Sequence, residues 1–339
     1  MHGVGGLRSY LSELTPQARA LLVGEFERRV AMGDAEIKSS VILQELRALA
    51  PAKPLDQAAL LFYRPLEPFL VDDTPERRHP GRLSHGALAP LWHWLASELM
   101  PEAIETYLAQ ANEALGEGEV GTAEALARAL QDRAVVAIRS AFGSVEEDNA
   151  QRAILAGLST PRPRDDIEAL RWILRGRDML AKLAAELPER IDDLDAEQVE
   201  AAIALIESTA RPRDIFPFAL VTVMKRLAQP HQLVRLAMLA AGSRSASRMA
   251  DTEYGLTLTI LLAELERLIG TLSRAIENAD QAAAAAHLKH IDNILRGLRA
   301  EIVIPVASSL GRQLDGIAAE AAALGRAALG SLHRMAETA

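Results

Sequence analysis

The sequence predicts an all-α, multi-helical protein, and three observations carry that prediction. Only 4% of the 339 residues are aromatic while 49% are hydrophobic, so Leu and Ala must fill the core, which suits closely spaced helices and disfavours a β-sandwich. Apolar residues recur at helical spacing through most of the chain, in runs that stop at Pro, Gly or an Asx residue. Finally, Ser159-Thr160-Pro161-Arg162-Pro163-Arg164-Asp165 returns 49 positions later as Ser208-Thr209-Ala210-Arg211-Pro212-Arg213-Asp214, and each copy stands between two helix-periodic runs.

A chain of this length exceeds one ordinary hydrophobic core. The pattern divides it into an N-terminal helical region (1–121), a helical repeat region (122–245) and a C-terminal helical hairpin or bundle (246–339). In the first region Thr15-Pro16 opens a helix to about Met32, Gly33 and Asp34 break it, and Glu36 to Leu49 form a second, so the two make a hairpin. Residues 50–82 contain Pro51, Pro54, Pro65, Pro68, Pro75 and Pro80, which forbid a long helix and leave room for a short one near Asp56 to Phe62. Because Phe62, Tyr63, Leu66, Phe69 and Leu70 fall in the same stretch, it is expected to be an irregular loop docked on the helix that carries Trp92 and Trp94. That helix is capped by Ser84 and runs to Leu99, with Pro90 kinking it or marking its start. Pro101 begins the next, Thr122 to Phe142 form a longer one, and Ser144 to Glu147 make a capping box for a helix ending near Leu158.

The repeat region then continues with helices over Asp165 to Leu187, Asp195 to Thr209, Ile215 to Ala228 and Gln232 to Ala241. Short helices alternating with Pro-bearing corners resemble the architecture of a HEAT-like α-solenoid, with Asp165 and Asp214 as N-caps of the helices after them. Farther on, Leu258, Leu262, Leu265, Ile269, Leu272 and Ile276 keep a 4-3 spacing, a coiled-coil-like seam. After Asn278-Ala279-Asp280, Leu288, Ile291, Leu295, Leu298 and Ile302 repeat that spacing, and Pro305 starts a third, Ala-rich helix. These predict a C-terminal long-helix hairpin or three-helix bundle; if part of the apolar stripe stays open, a homodimer would cover it.

Charge and composition exclude several function classes. The chain carries a net charge of −9, and residues 101–200 alone hold 21 acidic against 11 basic side chains. An acidic chain without a basic block argues against nucleic acid, whose binding depends on clustered cations. With no cysteine, disulfides, thiolate catalysis and the usual zinc or iron–sulfur ligand sets are excluded. No apolar run reaches the roughly 18 residues of a membrane span and no leader pattern opens the chain, so a cytoplasmic location is expected.

Candidate chemistry is sparse. His287 and His290, three apart on a helix, could reach one metal, but they flank the buried positions Leu288 and Ile291 with no acidic partner fixed by spacing, so no metal or cofactor is expected. Arg77, Arg78, Arg82, His85, Trp92 and His93 could build an anion pocket in which guanidinium forks hold a carboxylate or phosphate over an indole. Arg162, Arg164, Arg211 and Arg213 could align as an interaction surface along the repeat corners. Neither a Walker loop, a nucleophile elbow nor a Rossmann glycine run is present, and the one Glu-x-x-His pair, Glu76 and His79, falls in the Pro-rich stretch. The leading expectation is therefore a non-enzymatic interaction or scaffold protein that binds a protein partner. The alternative is a helical small-molecule, anion- or metal-binding protein with its pocket between Phe62 and Trp94, and an enzyme with an unfamiliar site comes third.

Overall fold

A computed structural model describes residues 55–71, 80–142, 149–158, 160–192, 194–208, 213–242, 248–249, 251–304 and 308–338, with side chains as far as 328 except Ala150. The hairpin expected over 15–49, the capping box at Ser144 to Glu147, and Arg77, Arg78, Arg211 and Pro305 lie outside the described residues. Twelve α-helices account for nearly all regular structure among those described, so the all-α prediction holds. The described chain forms two compact units, one from 55–71 and 83–175, the other from 80–82 and 176–338. Their boundary falls inside one long helix.

The first unit begins with α1 (Gln57–Tyr63), capped by the Asp56 carboxylate, which accepts from the Ala59 amide at 2.7 Å. Pro65 and Pro68 then tighten the backbone into a 3-10 helix, Arg64–Phe69, that buries Leu66 and Phe69. Where irregular backbone was expected, the chain has this turn followed by β1 (Leu70–Val71), which pairs in parallel with β2 (Leu83–Ser84). Ser84 caps α2 (His85–Trp94), accepting from the Gly86 amide at 3.1 Å. Pro90 sits inside α2, the chain continues as a π turn over Leu95–Leu99, and Pro101 opens α3 (Pro101–Gly116) at its first position. Gly118, at φ +78°, reverses the chain into α4 (Val120–Phe142), which packs on α3 and α1 and buries Ala123, Ala127, Leu130, Ala134 and Ile138. Ala111 in α3 and Ala123 and Ala134 in α4 are fully buried. The unit closes with α5 (Asn149–Gly157) and the first half of α6 (Pro163–Glu186).

The second unit continues with α7 (Ala196–Ser208), a 3-10 turn at Arg213–Ile215, α8 (Phe216–Arg226), α9 (Gln232–Ala240), α10 (Leu256–Glu277), α11 (Gln281–Glu301) and α12 (Ser309–Thr338). Helix α10 touches α8, α9, α11 and α12. Its buried stripe is therefore wider than a two-helix seam and shifted from the expected one: Leu261, Leu265, Leu268, Leu272 and Ala275 are buried, while Leu262 and Ile276 are half-exposed. Between α10 and α11, Ala279 takes a left-handed φ of 56° and Asp280 caps α11 by accepting from Ala283 at 2.9 Å. Helix α9 reaches α11 where the His231 ring lies on Gly297, so close that a Cβ there would stand 2.3 Å from it.

The repeated corners lead into unequal helices. The first opens α6, of 24 residues, and the second passes through a 3-10 turn into α8, of 11. Neither aspartate is the expected N-cap. Helix α6 starts at Pro163, whose fixed φ suits the first helical position, so Asp165 stands inside the first turn; Asp214 is the middle residue of the 3-10 turn. Both still place a carboxylate near helix amide groups.

Candidate functional site

Three groups of side chains could carry function, and two have their polar atoms occupied by the fold. In the first unit, Phe62 and Tyr63 set their ring centroids 5.3 and 5.9 Å from that of Trp92, which is half-exposed. The polar atoms beneath them are paired. Gln131 donates to the Phe62 carbonyl at 2.8 Å, and the hydroxyls of Tyr107 and Tyr63 donate to the carbonyls of Ala58 and Leu88 at 2.6 and 3.1 Å. Of these acceptors, the Phe62 carbonyl is one that the short helix α1 leaves open at its end. Burial pushes the Tyr63 hydroxyl well above its ordinary pKa, and burial together with the Asp56 charge pushes Tyr107 up to about 12, so both stay protonated donors. His85 and His93, expected beside Trp92 in an anion pocket, are exposed.

Arg82 belongs to the second unit. There Gly81 takes φ +70° so that the chain can lie against α8, where a Cβ would stand 2.4 Å from the Pro217 carbonyl oxygen. This close approach buries the Arg82 guanidinium, whose Nη2 donates to Glu264 Oε2 at 2.9 Å. Arg267 holds the same carboxylate through Nε at 3.0 Å and Nη2 at 2.6 Å. Burial alone would raise the Glu264 pKa, but the hydrogen bonds and charge of Arg267, with the charges of Arg82 and Lys225, hold it below the usual carboxylate range. Lys225 is an exposed residue, yet burial of its ammonium end and repulsion from Arg82 and Arg267 outweigh the attraction of Glu264 and lower its pKa to about 8. The cluster anchors the turn at residues 80–82 to α8 and α10.

The third group lies on α6 within the first unit. Ile167, Leu170, Ile173 and Leu174 are buried, which places Arg164, Glu168, Arg171 and Arg175 along one opposite stripe at spacings of four, three and four, with Arg164 and Arg175 exposed and the Arg171 side chain largely covered. Trp172 borders that stripe and is half-exposed. The Arg171 guanidinium carbon lies 4.4 Å from the Trp172 ring centroid and that of Arg175 lies 5.2 Å away, both within cation–π range. Arg171 also donates from Nη2 to Glu168 at 2.5 Å, while its Nε is buried without a partner. Arg162, just before α6, and Arg175 are exposed and make no ion pair among the described residues.

Of the four corner arginines, Arg211 lies outside the described residues. Arg162 and Arg164 belong to the first unit and Arg213, in the second, is bonded to Glu253 at 2.8 Å. Sequence reading missed Arg171, Trp172 and Arg175; the signal was the run of arginines at 164, 171 and 175 on one helix face, with a tryptophan one residue off it. His287 and His290 are half-exposed, and among the described residues no group of three or more His, Asp or Glu could hold a metal. No described helix is long and apolar enough to cross a membrane. The class defined by this fold is that of multi-helical all-α proteins. Comparison with protein-family models, curated proteins and solved structures finds no match.

Proposed function

We propose that the chain is a non-enzymatic helical interaction protein that binds a protein partner, with the outward face of α6 as its contact surface. The observation that carries this reading is the stacking of Arg171 and Arg175 on a half-exposed Trp172. Trp and Arg supply most of the strongly contributing residues in protein interfaces. Guanidinium groups already held against a ring lose less freedom on binding than free ones, so the surface is pre-organised.

The framework behind it is read as a HEAT-like succession of helix pairs followed by a helical bundle. In support, each copy of the repeated segment stands between two helices, and α10, α11 and α12 each touch the other two. The test is recovery of interacting proteins from cells of the native organism with the wild-type chain and with the Trp172→Ala, Arg175→Ala double variant. A stoichiometric partner retained by the wild type and lost by the variant is expected; a partner held equally by both would remove α6 from the interface. Recovery of no protein partner, together with a saturable thermal shift from a small anion, would replace this function with the ligand-binding alternative near Phe62 to Trp94.

A further inference from the structure

We infer that the Arg–Trp face of α6 docks an acidic, carboxylate-bearing peptide segment, a proposal that rests on the reading of the chain as an interaction protein. Arg164, Arg171 and Arg175 share one stripe, and Arg164 to Arg175 spans roughly 16 Å at about 1.5 Å per residue. This is the length of a short extended or helical segment. Glu168 is the one acidic residue on the stripe over that span, and its carboxylate already accepts from Arg171. Asp165 and Asp166 lie off the stripe, about 100° and 200° round the helix from Arg164. Asp178, one turn beyond Arg175, stands 3.8 Å from Arg177.

The groups divide the work. Glu168 and the ring fix Arg171, whose side chain is only 16% exposed and whose Nε is buried, so it adds positive charge beneath the face and leaves the direct contact to its neighbours. Arg175, held by the ring and by no ion pair among the described residues, presents the guanidinium fork that a carboxylate meets with two parallel hydrogen bonds. The half-exposed indole between them offers apolar area to the side chain next to that carboxylate. Charge selects the occupant among anionic polymers. With a net charge of −9 and 21 acidic residues between 101 and 200, the chain repels the dense, continuous charge of a nucleic acid more strongly than a peptide of a few carboxylates.

The experiment uses the whole chain labelled with 5-fluorotryptophan. Its three tryptophans, Trp92, Trp94 and Trp172, give three fluorine resonances, the third assigned with Trp172→Phe. The probe is a short synthetic peptide in which Glu pairs alternate with Leu; the controls are the same peptide with Gln for Glu and an oligouridylate of equal length. The Glu peptide is expected to move the Trp172 resonance saturably and leave those of Trp92 and Trp94 in place, the Gln peptide to leave all three unmoved, and Arg175→Gln to weaken binding about tenfold. Any of three results overturns the proposal: a Trp172 resonance that stays fixed up to about 1 mM Glu peptide, an equal response to oligouridylate, or unchanged affinity in Arg175→Gln. If the Glu peptide fails but a cellular partner is still lost on mutating Trp172 and Arg175, the acidic class is wrong and the interaction function stands. If the peptide binds and no partner is recovered, the fault lies with the function and not with the chemistry of the face.

Discussion

Glu264 is the carboxylate on which Arg82 and Arg267 converge, and its surroundings make unequal demands on the groups around it. Glu264→Gln removes the acceptor charge from both guanidiniums and should cost about 3–5 kcal/mol, the range for breaking a buried ion pair. Arg82→Met should cost less in chemical denaturation, because Arg267 continues to hold the carboxylate; an equal or reversed order would show that Arg82 supports the cluster alone. Lys225 gives the pH counterpart. Its folded pKa of about 8 lies below the roughly 10.4 of an unfolded lysine, so the folded state disfavours the charged form. That penalty is complete below about pH 8, fades as the pH rises toward about 10.4, and is absent above. Lys225→Met should therefore raise the melting temperature relative to wild type at pH 7, with the gain shrinking through this window. A gain independent of pH would assign the effect to packing. None of this chemistry was legible in the sequence. Arg82 invited an anion-pocket reading because Arg77, Arg78 and His79 precede it, while its partner lies 182 positions away and no local spacing points to it.

At the scale of the element, proline, glycine and capping residues made the chain readable. Ser84, Pro101 and Asp280 each stand at or beside a helix start where their backbone chemistry places them. Short elements were harder to read. The 3-10 helix at Arg64–Phe69 and the strand pair β1–β2 have too few residues to show a period, and β1 pairs with a strand more than ten residues on. Phe69 closes that 3-10 helix and is 2% exposed, so Phe69→Ala should cost about 3–5 kcal/mol. An unchanged melting temperature would mean that its cavity collapses without loss. The repeated corners show the limit of local identity: the same Arg-Pro-Arg-Asp sequence opens an α-helix once and a 3-10 turn once. The residues downstream of each corner decide between the two outcomes. Helix α6 carries its apolar stripe forward through Ile167 and Leu170, whereas Pro217 two residues after Ile215 restarts the helix as α8.

At the scale of the whole molecule, the two compact units predict that damage to α10 stays within one of them. Leu265 is fully buried and Ile269 is 7% exposed, on a helix touched by α8, α9, α11 and α12. Read as a two-helix seam, the same residues would have placed the damage in α10, α11 and α12 alone; the contacts extend it to α8 and α9. Leu265→Asp with Ile269→Asp puts two carboxylates into an apolar contact, and each unpaired buried charge costs on the order of several kcal/mol. A domain has only about 5–15 kcal/mol to lose, so the double variant should unfold the second unit. Hydrogen exchange should then show protection lost across α8 to α12 and kept in α1, α3 and α4, which belong to the first unit. Loss of protection in both units together would make the chain one cooperative body. A variant that stays folded with the wild-type mass by sedimentation would mean that Leu265 and Ile269 form neither a core nor a homodimer contact.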